Sequence, residues 1–125
     1  LMSKVERARE EIVEYEAEYM DGASVIVVAY GSVGRSALRA VRDARKKGIA
    51  AGFFRPITLW PFPDVELAKM ALGAKTILVP ELNCGQMVLE VERLIKGRSE
   101  VRGMNLVNGE LFKPSEIGRV IEEVA

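Results

Sequence analysis

The hydrophobic positions of this chain form short continuous runs, and amphipathic segments separate one run from the next. Short continuous apolar runs are typical of strands that are buried on both faces, and strands are expected over residues 24–30, 49–54, 76–80 and 100–107. Apolar residues at spacings of three and four predict helices, here over residues 33–47, 65–72, 85–96 and from Pro114-Ser115 to 124. This alternation predicts parallel βαβ units with right-handed crossovers. The expected fold class is α/β, in three α/β/α layers around a mostly parallel sheet of four to five strands.

Small polar residues and prolines stand where these elements are expected to begin and end. Ser32, Asp64 and Ser115 precede or open helical segments, and we expect them to act as caps because their side-chain oxygens can accept backbone N–H bonds. The stretch from Arg55 to Pro63 contains three prolines. Proline removes a backbone donor and restricts its neighbour, so regular structure is not expected there.

The N-terminal segment fits two patterns. One apolar stripe at helical spacing joins Val5, Ala8, Ile12, Tyr15 and Tyr19. Residues 13–19 also alternate with period two, as an edge strand would. A helix over 3–20 is favoured, because its pattern covers more residues and glutamate is a poor strand former. The expected organisation is a connector helix over 1–21 and an α/β domain over 22–125.

Composition and charge narrow the chemistry. The chain has 125 residues with 18 basic and 18 acidic side chains, so no net charge directs it to nucleic acid or to an anionic membrane. Histidine is absent and Cys84 is the single cysteine, which excludes histidine-based nucleophile pairs, an internal disulfide and a cluster held by four cysteines. No apolar run approaches the roughly 20 residues that span a bilayer, and no signal peptide opens the chain. We expect a cytoplasmic protein and, because the chain begins Leu1-Met2, a part of a longer polypeptide, although a processed terminus would look the same.

Polar residues gather where the expected parallel strands end. In an open α/β sheet, ligands bind beyond the carboxyl ends of the strands. The candidate residues of this edge are Gly31, Ser32, Arg55, Thr58, Trp60, Glu81, Asn83 and Gln86. Two interpretations stay open: the edge binds a ligand or partner, or it carries only the polar loops that α/β domains share.

The first turn of this edge, Gly31–Gly34, is a near match to a phosphate-binding motif. A dinucleotide fingerprint requires G-x-G-x-x-G and an acidic residue at the end of the second strand, whereas this chain has two glycines and places Arg55 there. Backbone amides at 32–34 could still meet an anion at the start of the helix. The favoured interpretation is a tight turn made by Gly31 and a helix cap made by Ser32.

The other two turns carry an acid, amides, a thiol and aromatic side chains. In the Glu81–Gln86 turn, Cys84 has no neighbouring base, so a nucleophile is disfavoured. Glu81 and Asn83 are expected instead to tie the loop down through hydrogen bonds. The Arg55–Pro63 loop is stiff and apolar, and it is either a lid on its own domain or a docking surface.

Three segments together resemble one enzyme family. VVAYGSVGRSA, RPITLWPFP and VPELNCGQM, in this order and spacing, are similar to the alpha subunit of 2-oxoacid:ferredoxin oxidoreductases, and most of all to the 2-oxoglutarate type. The resemblance covers residues 22–125, and RPITLWPFP and E-x-N-x-G-Q are its specific parts. It implies a fold like the transketolase C-terminal domain, whose mixed sheet has one antiparallel strand, expected here in the N-terminal segment or near 105–112. Cys84 departs from the aliphatic residue that relatives often carry.

The resemblance also implies a reaction and its partners. Enzymes of this family use thiamine diphosphate to decarboxylate a 2-oxoacid oxidatively, pass electrons through iron–sulfur clusters to ferredoxin, and form an acyl-CoA. By this resemblance the chain is the C-terminal domain of the alpha subunit, without catalytic residues, bound cofactor or metal. Thiamine diphosphate, magnesium and the clusters would lie on other domains or subunits. The implied partners are the other domain of the same alpha subunit, the beta subunit, gamma and delta subunits as further candidates, and ferredoxin and coenzyme A for the holoenzyme. The implied role is to support assembly and to shape the approach to the active site.

Two other functions are open at this point. The chain could be a small nucleotide- or anion-binding module that uses the Gly31–Gly34 turn, but its glycine count is wrong and the other two segments stay unexplained. It could also be a self-association module whose stripe over residues 5–19 pairs helices. That stripe covers fewer than three heptads, which is short for a stable coiled coil.

Overall fold

The computed structural model describes residues 13–57, 62–81, 86–105 and 112–125. Within these ranges the strands are β1 (Tyr15–Glu18), β2 (Val25–Val28), β3 (Ala51–Pro56), β4 (Thr76–Glu81) and β5 (Glu100–Asn105). The helices of the same ranges are α1 (Val33–Lys46), α2 (Asp64–Met70), α3 (Gln86–Ile95) and α4 (Pro114–Val124). From residue 24 onward the expected order and type of elements are confirmed, and the ends differ by no more than two residues.

The strands form one mixed sheet in the order β1-β3-β2-β4-β5. Strands β2, β3, β4 and β5 run parallel, with Ile26 paired to both Gly52 and Ile77. Strand β1 pairs antiparallel with β3, from Tyr15 opposite Pro56 to Glu18 opposite Phe53. The expected three-layer α/β fold with a mostly parallel sheet is therefore confirmed.

Helices cover both faces of the sheet, and this explains the continuous apolar runs. On one face α1 and α4 pack on the sheet through a cluster that includes Val41 and Ile121. On the other face α2 and α3 pack through Leu67 and Val91. All four residues of β2 are fully buried, since successive side chains enter opposite clusters. A strand of this kind must be apolar at every position.

The N-terminal segment corrects one expectation. The helix over 3–20 is wrong for residues 15–18, which form strand β1, while residues 3–12 lie outside the described ranges. The competing edge-strand interpretation is right, and β1 is the antiparallel strand that the family resemblance implied. Tyr15 stacks on Phe54 with ring centroids 5.1 Å apart, and this tertiary contact outweighs the weak strand propensity of glutamate. The division of the chain at residue 22 stays a prediction.

The boundaries of β3 and the helix caps also differ from expectation. Strand β3 continues through Arg55 and Pro56 into the segment where no regular structure was expected. Pro56 is tolerated because it ends the strand. The cap expected from Ser115 is wrong: α4 begins at Pro114, and the backbone N–H of Lys113 donates to the Glu116 carboxylate at 3.1 Å.

Asp64 is the first residue of α2, one position inside the cap expected of it. Its carboxylate still accepts the backbone N–H of Val65 at 2.9 Å, so it supports the first turn from within the helix. Among the helices that the structure describes, none has the length and apolar character needed to cross a membrane.

Candidate functional site

The connectivity of the sheet marks the carboxyl ends of β2 and β4 as the expected place for a ligand site. These strands are parallel neighbours, yet the helices that follow them lie on opposite faces: α1 belongs to one core cluster and α3 to the other. Two neighbouring strands whose helices diverge in this way define a topological switch point, where open α/β sheets bind ligands. The candidate site is therefore the edge formed by the turns that follow β2 and β4.

The described residues place five of the eight sequence-predicted positions at this edge: Gly31, Ser32, Arg55, Glu81 and Gln86. Three others, Thr58, Trp60 and Asn83, lie outside the described residues, as does Cys84. That the edge binds a ligand or partner stays a prediction.

The turn after β2 is built on a left-handed glycine. Gly31 has a φ of 66°, a conformation that side chains with a Cβ rarely adopt, and its carbonyl accepts the N–H of Gly34 at 3.1 Å. The tight turn expected from Gly31 is confirmed. Ser32 occupies the N-cap position of α1, but its side chain makes no capping hydrogen bond, so that part of the expectation is wrong.

The second glycine of the turn makes room for an arginine. A Cβ at Gly34 would lie 2.9 Å from both Cδ and Nε of Arg55, which is closer than real carbon contacts allow. The Arg55 side chain is 36% exposed, and its Nη1 lies 3.5 Å from Oε1 of Glu16. Its Nε is buried, with no hydrogen-bond acceptor among the described residues. The need for glycine at position 34 is thus explained by the Arg55 side chain rather than by the approach of a pyrophosphate. The sequence analysis missed this contact between Gly34 and Arg55.

Glu81 joins the end of β4 to the start of α3 from inside the protein. Its side chain is almost completely buried, and its two carboxylate oxygens each accept a backbone N–H, from Met87 and Val88, at 3.0 Å. A carboxylate is favoured at a helix N-terminus by the helix dipole and by charge-assisted hydrogen bonds. The expected tie is confirmed for Glu81. It also means that the start of α3 is already occupied by an anionic group.

Among the described residues, the chemistry at this edge is hydrogen bonding and the positive charge of Arg55, with the exposed Arg35 in the adjoining first turn of α1. Gly31, Ser32 and Gln86 are exposed, Arg55 is partly exposed, and both oxygens of Glu81 are engaged. Across the residues that the structure describes, no three potential metal ligands come together. The described part of the edge lacks the base, nucleophile or metal set from which a catalytic centre is built.

Charged pairs and grooves lie elsewhere on the surface. Three exposed cations have raised pKa values because each donates to a carboxylate: Arg42 to Glu18, Lys47 to Glu122 and Arg93 to Glu90.

One groove runs between α1 and α4, and another between β1 and α2. Neither groove opens at the switch point, so they do not define this site.

Comparison with known proteins places these features in a family. A family model described as pyruvate:ferredoxin oxidoreductase core domain II matches residues 23–117. The 2-oxoglutarate synthase subunit KorA of Methanocaldococcus jannaschii is 41% identical over 121 residues, covering 97% of this chain and 32% of that protein. The ketoisovalerate oxidoreductase subunit VorB of Methanothermobacter thermautotrophicus is 37% identical over 125 residues, covering 100% of this chain and 35% of that protein. The chain spans about a third of the length of these curated relatives.

Two solved structures share the fold. A 2-oxoglutarate:ferredoxin oxidoreductase from Magnetococcus marinus, with 2-oxoglutarate, coenzyme A and succinyl-CoA bound, matches with a TM-score of 0.78 and 23% identity, covering 99% of this chain and 22% of that chain. A split-gene transketolase, an inactive beta4 tetramer, matches with a TM-score of 0.67 and 21% identity, covering 82% of this chain and 38% of that chain. The expected similarity to transketolase is confirmed at the level of fold.

Proposed function

The chain belongs to the pyruvate:ferredoxin oxidoreductase core domain II family, and from this we propose that it is the C-terminal domain of the alpha subunit of a 2-oxoacid:ferredoxin oxidoreductase. The observation that carries the proposal is the 41% identity to a KorA subunit across 97% of this chain. The complete enzyme would decarboxylate a 2-oxoacid oxidatively with thiamine diphosphate, form an acyl-CoA and pass electrons to ferredoxin. Relatives named for 2-oxoglutarate support that substrate, whereas the VorB relatives are named for ketoisovalerate.

We place the cofactors of that enzyme on other domains or subunits. The described residues do not fit a metal or cluster site, because no three potential ligands converge, and Cys84 alone cannot supply the four thiolates of an iron–sulfur cluster. The beta subunit, with gamma and delta subunits as further candidates, and the remaining domain of the alpha subunit are the proposed partners. The single cysteine is compatible with the reducing cytoplasm in which we place the enzyme.

Within this assembly the domain has a structural role. Its strand-end edge offers exposed hydrogen-bonding groups at Ser32 and Gln86 and the guanidinium of Arg55, while Glu81 joins the end of β4 to the start of α3. An edge with these groups suits contact with a neighbouring domain and shaping of the approach to the active site. An independent nucleotide-binding module is disfavoured, because Gly34 is used to seat Arg55 and Glu81 already occupies the start of α3.

The proposal is tested by assembly and turnover of a full-length alpha subunit that carries this domain, co-expressed with its beta subunit. We expect the complex to reduce a low-potential electron acceptor in the presence of 2-oxoglutarate, coenzyme A and thiamine diphosphate. The 125-residue chain alone should give no turnover under the same conditions. Turnover by the isolated chain, or none by the folded complex with any 2-oxoacid, would contradict the proposal.

Arg55 provides a sharper test of the edge in that complex. Replacing Arg55 by Met removes its charge, and we expect weaker association of the subunits or a higher KM for one substrate. Arg39→Met is the matched control, because Arg39 lies on α1 and pairs only with Asp43 among the described residues. Equal behaviour of the two variants and the wild type would show that the edge has no part in assembly or in the approach of substrate.

A further inference from the structure

Strand β1 is one of the two edge strands of the sheet that the structure describes. It has four residues, all of them partly or well exposed, and its described backbone pairing is with β3 alone. Strands β2 and β4, by contrast, are buried at every position. Segments with few buried contacts open at lower free energy than the core.

The side chains of β1 add little to hold it in place. Glu16 pairs with Arg55 at 3.5 Å and Glu18 pairs with Arg42 at 3.0 Å, and all four side chains are more than a third exposed. Exposed ion pairs of this kind contribute little to stability. The apolar contacts of the strand are the stack of Tyr15 on Phe54 and the packing of Ala17 against the same core cluster.

The end of β1 is different, because a strained residue is held there by an arginine. Tyr19 has a φ of 59°, in the left-handed region that residues other than glycine seldom adopt. Arg45 donates from Nη2 to the Tyr19 carbonyl and from Nε to the Ala51 carbonyl, both at 2.7 Å. Its guanidinium carbon also lies 5.5 Å from the centroid of the Tyr19 ring. One side chain therefore bridges the end of β1 and the start of β3.

A glycine on β3 also lets the turn after β1 lie close to the sheet. A Cβ on Gly52 would lie 3.0 Å from the Tyr19 carbonyl oxygen. The turn after β1 thus sits directly on β3, and the strain at Tyr19 is the cost of that position. Strain favours release of the turn, and the two hydrogen bonds from Arg45 oppose it.

We propose that residues 15–19 form a strap that opens from the sheet as one unit while the core stays folded, with Arg45 as its latch. Opening separates Glu16 from Arg55 at the other end of the strand. Because Arg55 Nε has no acceptor among the described residues, the state of the strap sets the surroundings of this guanidinium at the strand-end edge. The latch and this edge are therefore coupled through β1.

Native-state hydrogen exchange on the full chain tests the proposal. Amides of residues 15–18, together with the Ile57 amide that donates to the Glu14 carbonyl, should exchange with a smaller opening free energy than amides of β2 and β4. Arg45→Met should raise exchange of the strap amides about tenfold or more, since it removes two hydrogen bonds from a charged donor. The amides of β2 should change far less.

Matched variants make each outcome decisive. Arg39→Met removes an arginine from the same helix whose described hydrogen bonds go to Asp43 and not to the strap, and it should leave strap exchange unchanged. Arg45→Lys keeps a charge that can reach one carbonyl, and it should give an intermediate rate. The proposal fails if strap and β2 amides open together in the wild type, if Arg45→Met accelerates both sets equally, or if this variant cannot fold.

Discussion

Replacing Glu81 by Gln tests whether the turn after β4 is held by a buried carboxylate. The carboxylate accepts two backbone N–H groups at 3.0 Å, and glutamine has one oxygen and must turn its NH₂ toward the other donor. A hydrogen bond to a charged group contributes about 1.5–3 kcal/mol, and a charge at a helix N-terminus about 0.3–1 kcal/mol. Relief of the cost of burying a charge offsets part of this. We expect a net loss of about 2 kcal/mol in the free energy of unfolding.

Urea unfolding followed by far-UV circular dichroism measures this loss. The slope of the free energy of unfolding against urea concentration should stay constant, because the same surface is exposed on unfolding. Glu92→Gln is the matched control, since it makes the same chemical change on an exposed position of α3. The control should stay within about 0.5 kcal/mol of the wild type. If Glu81→Gln is as mild as the control, the two hydrogen bonds do not secure the turn, and the assignment of Glu81 as a structural group is wrong.

Three further predictions follow from the same structure. Gly34→Ala should stabilise an Arg55→Ala background by about 0.5–1 kcal/mol through helix propensity, and it should be less favourable in the wild type, where its Cβ would lie 2.9 Å from Arg55 and displace that side chain. A double-mutant cycle measured by urea unfolding checks this difference, and equal effects in both backgrounds would refute the contact. Gly31→Ala should cost about 1 kcal/mol, because φ is 66° there; thermal unfolding measures it, and an unchanged midpoint would show that the turn is not strained. The pKa of Lys47 is raised from 10.5 by its hydrogen bond to Glu122, so the stability it adds is complete below pH 10.5 and is lost as the pH rises through the higher folded value. Unfolding curves of Lys47→Met and the wild type should therefore converge in alkaline solution, and a gap that persists there would contradict the ion pair.

The parallel core was predictable because its strands obey a simple rule. A strand between two helical layers is apolar at every position, and β2 and β4 are recognisable from their composition alone. Strand β1 was misjudged because its pattern, Tyr15-Glu16-Ala17-Glu18, fits either helix or strand. Stacking on Phe54 and pairing with β3 decided it. These contacts are remote in sequence, so no local propensity contains them.

The candidate site was predictable in its place but only partly in its chemistry. Strand ends of a parallel sheet meet at one edge, and this rule alone predicts that Gly31, Arg55 and Glu81 lie at the same edge. The contact of Gly34 with Arg55 depends on β2 and β3 lying side by side, and the local pattern of a single sequence does not specify which strands are neighbours. Glu81 accepts two hydrogen bonds from the start of α3 because its side chain is buried there. The sequence predicted only that Glu81 would tie down a loop.

The position of Glu81 affects whether a free anion can bind at the start of α3. A dissolved phosphate or carboxylate that reached the start of α3 would compete with a carboxylate attached to the same chain. A tethered group acts at an effective concentration of about millimolar or higher, and no dilution of the protein lowers it. The fold is an open α/β sheet in which a side chain of the protein itself fills one anion position, so the start of α3 keeps its two hydrogen bonds to Glu81 whatever the supply of metabolites around it.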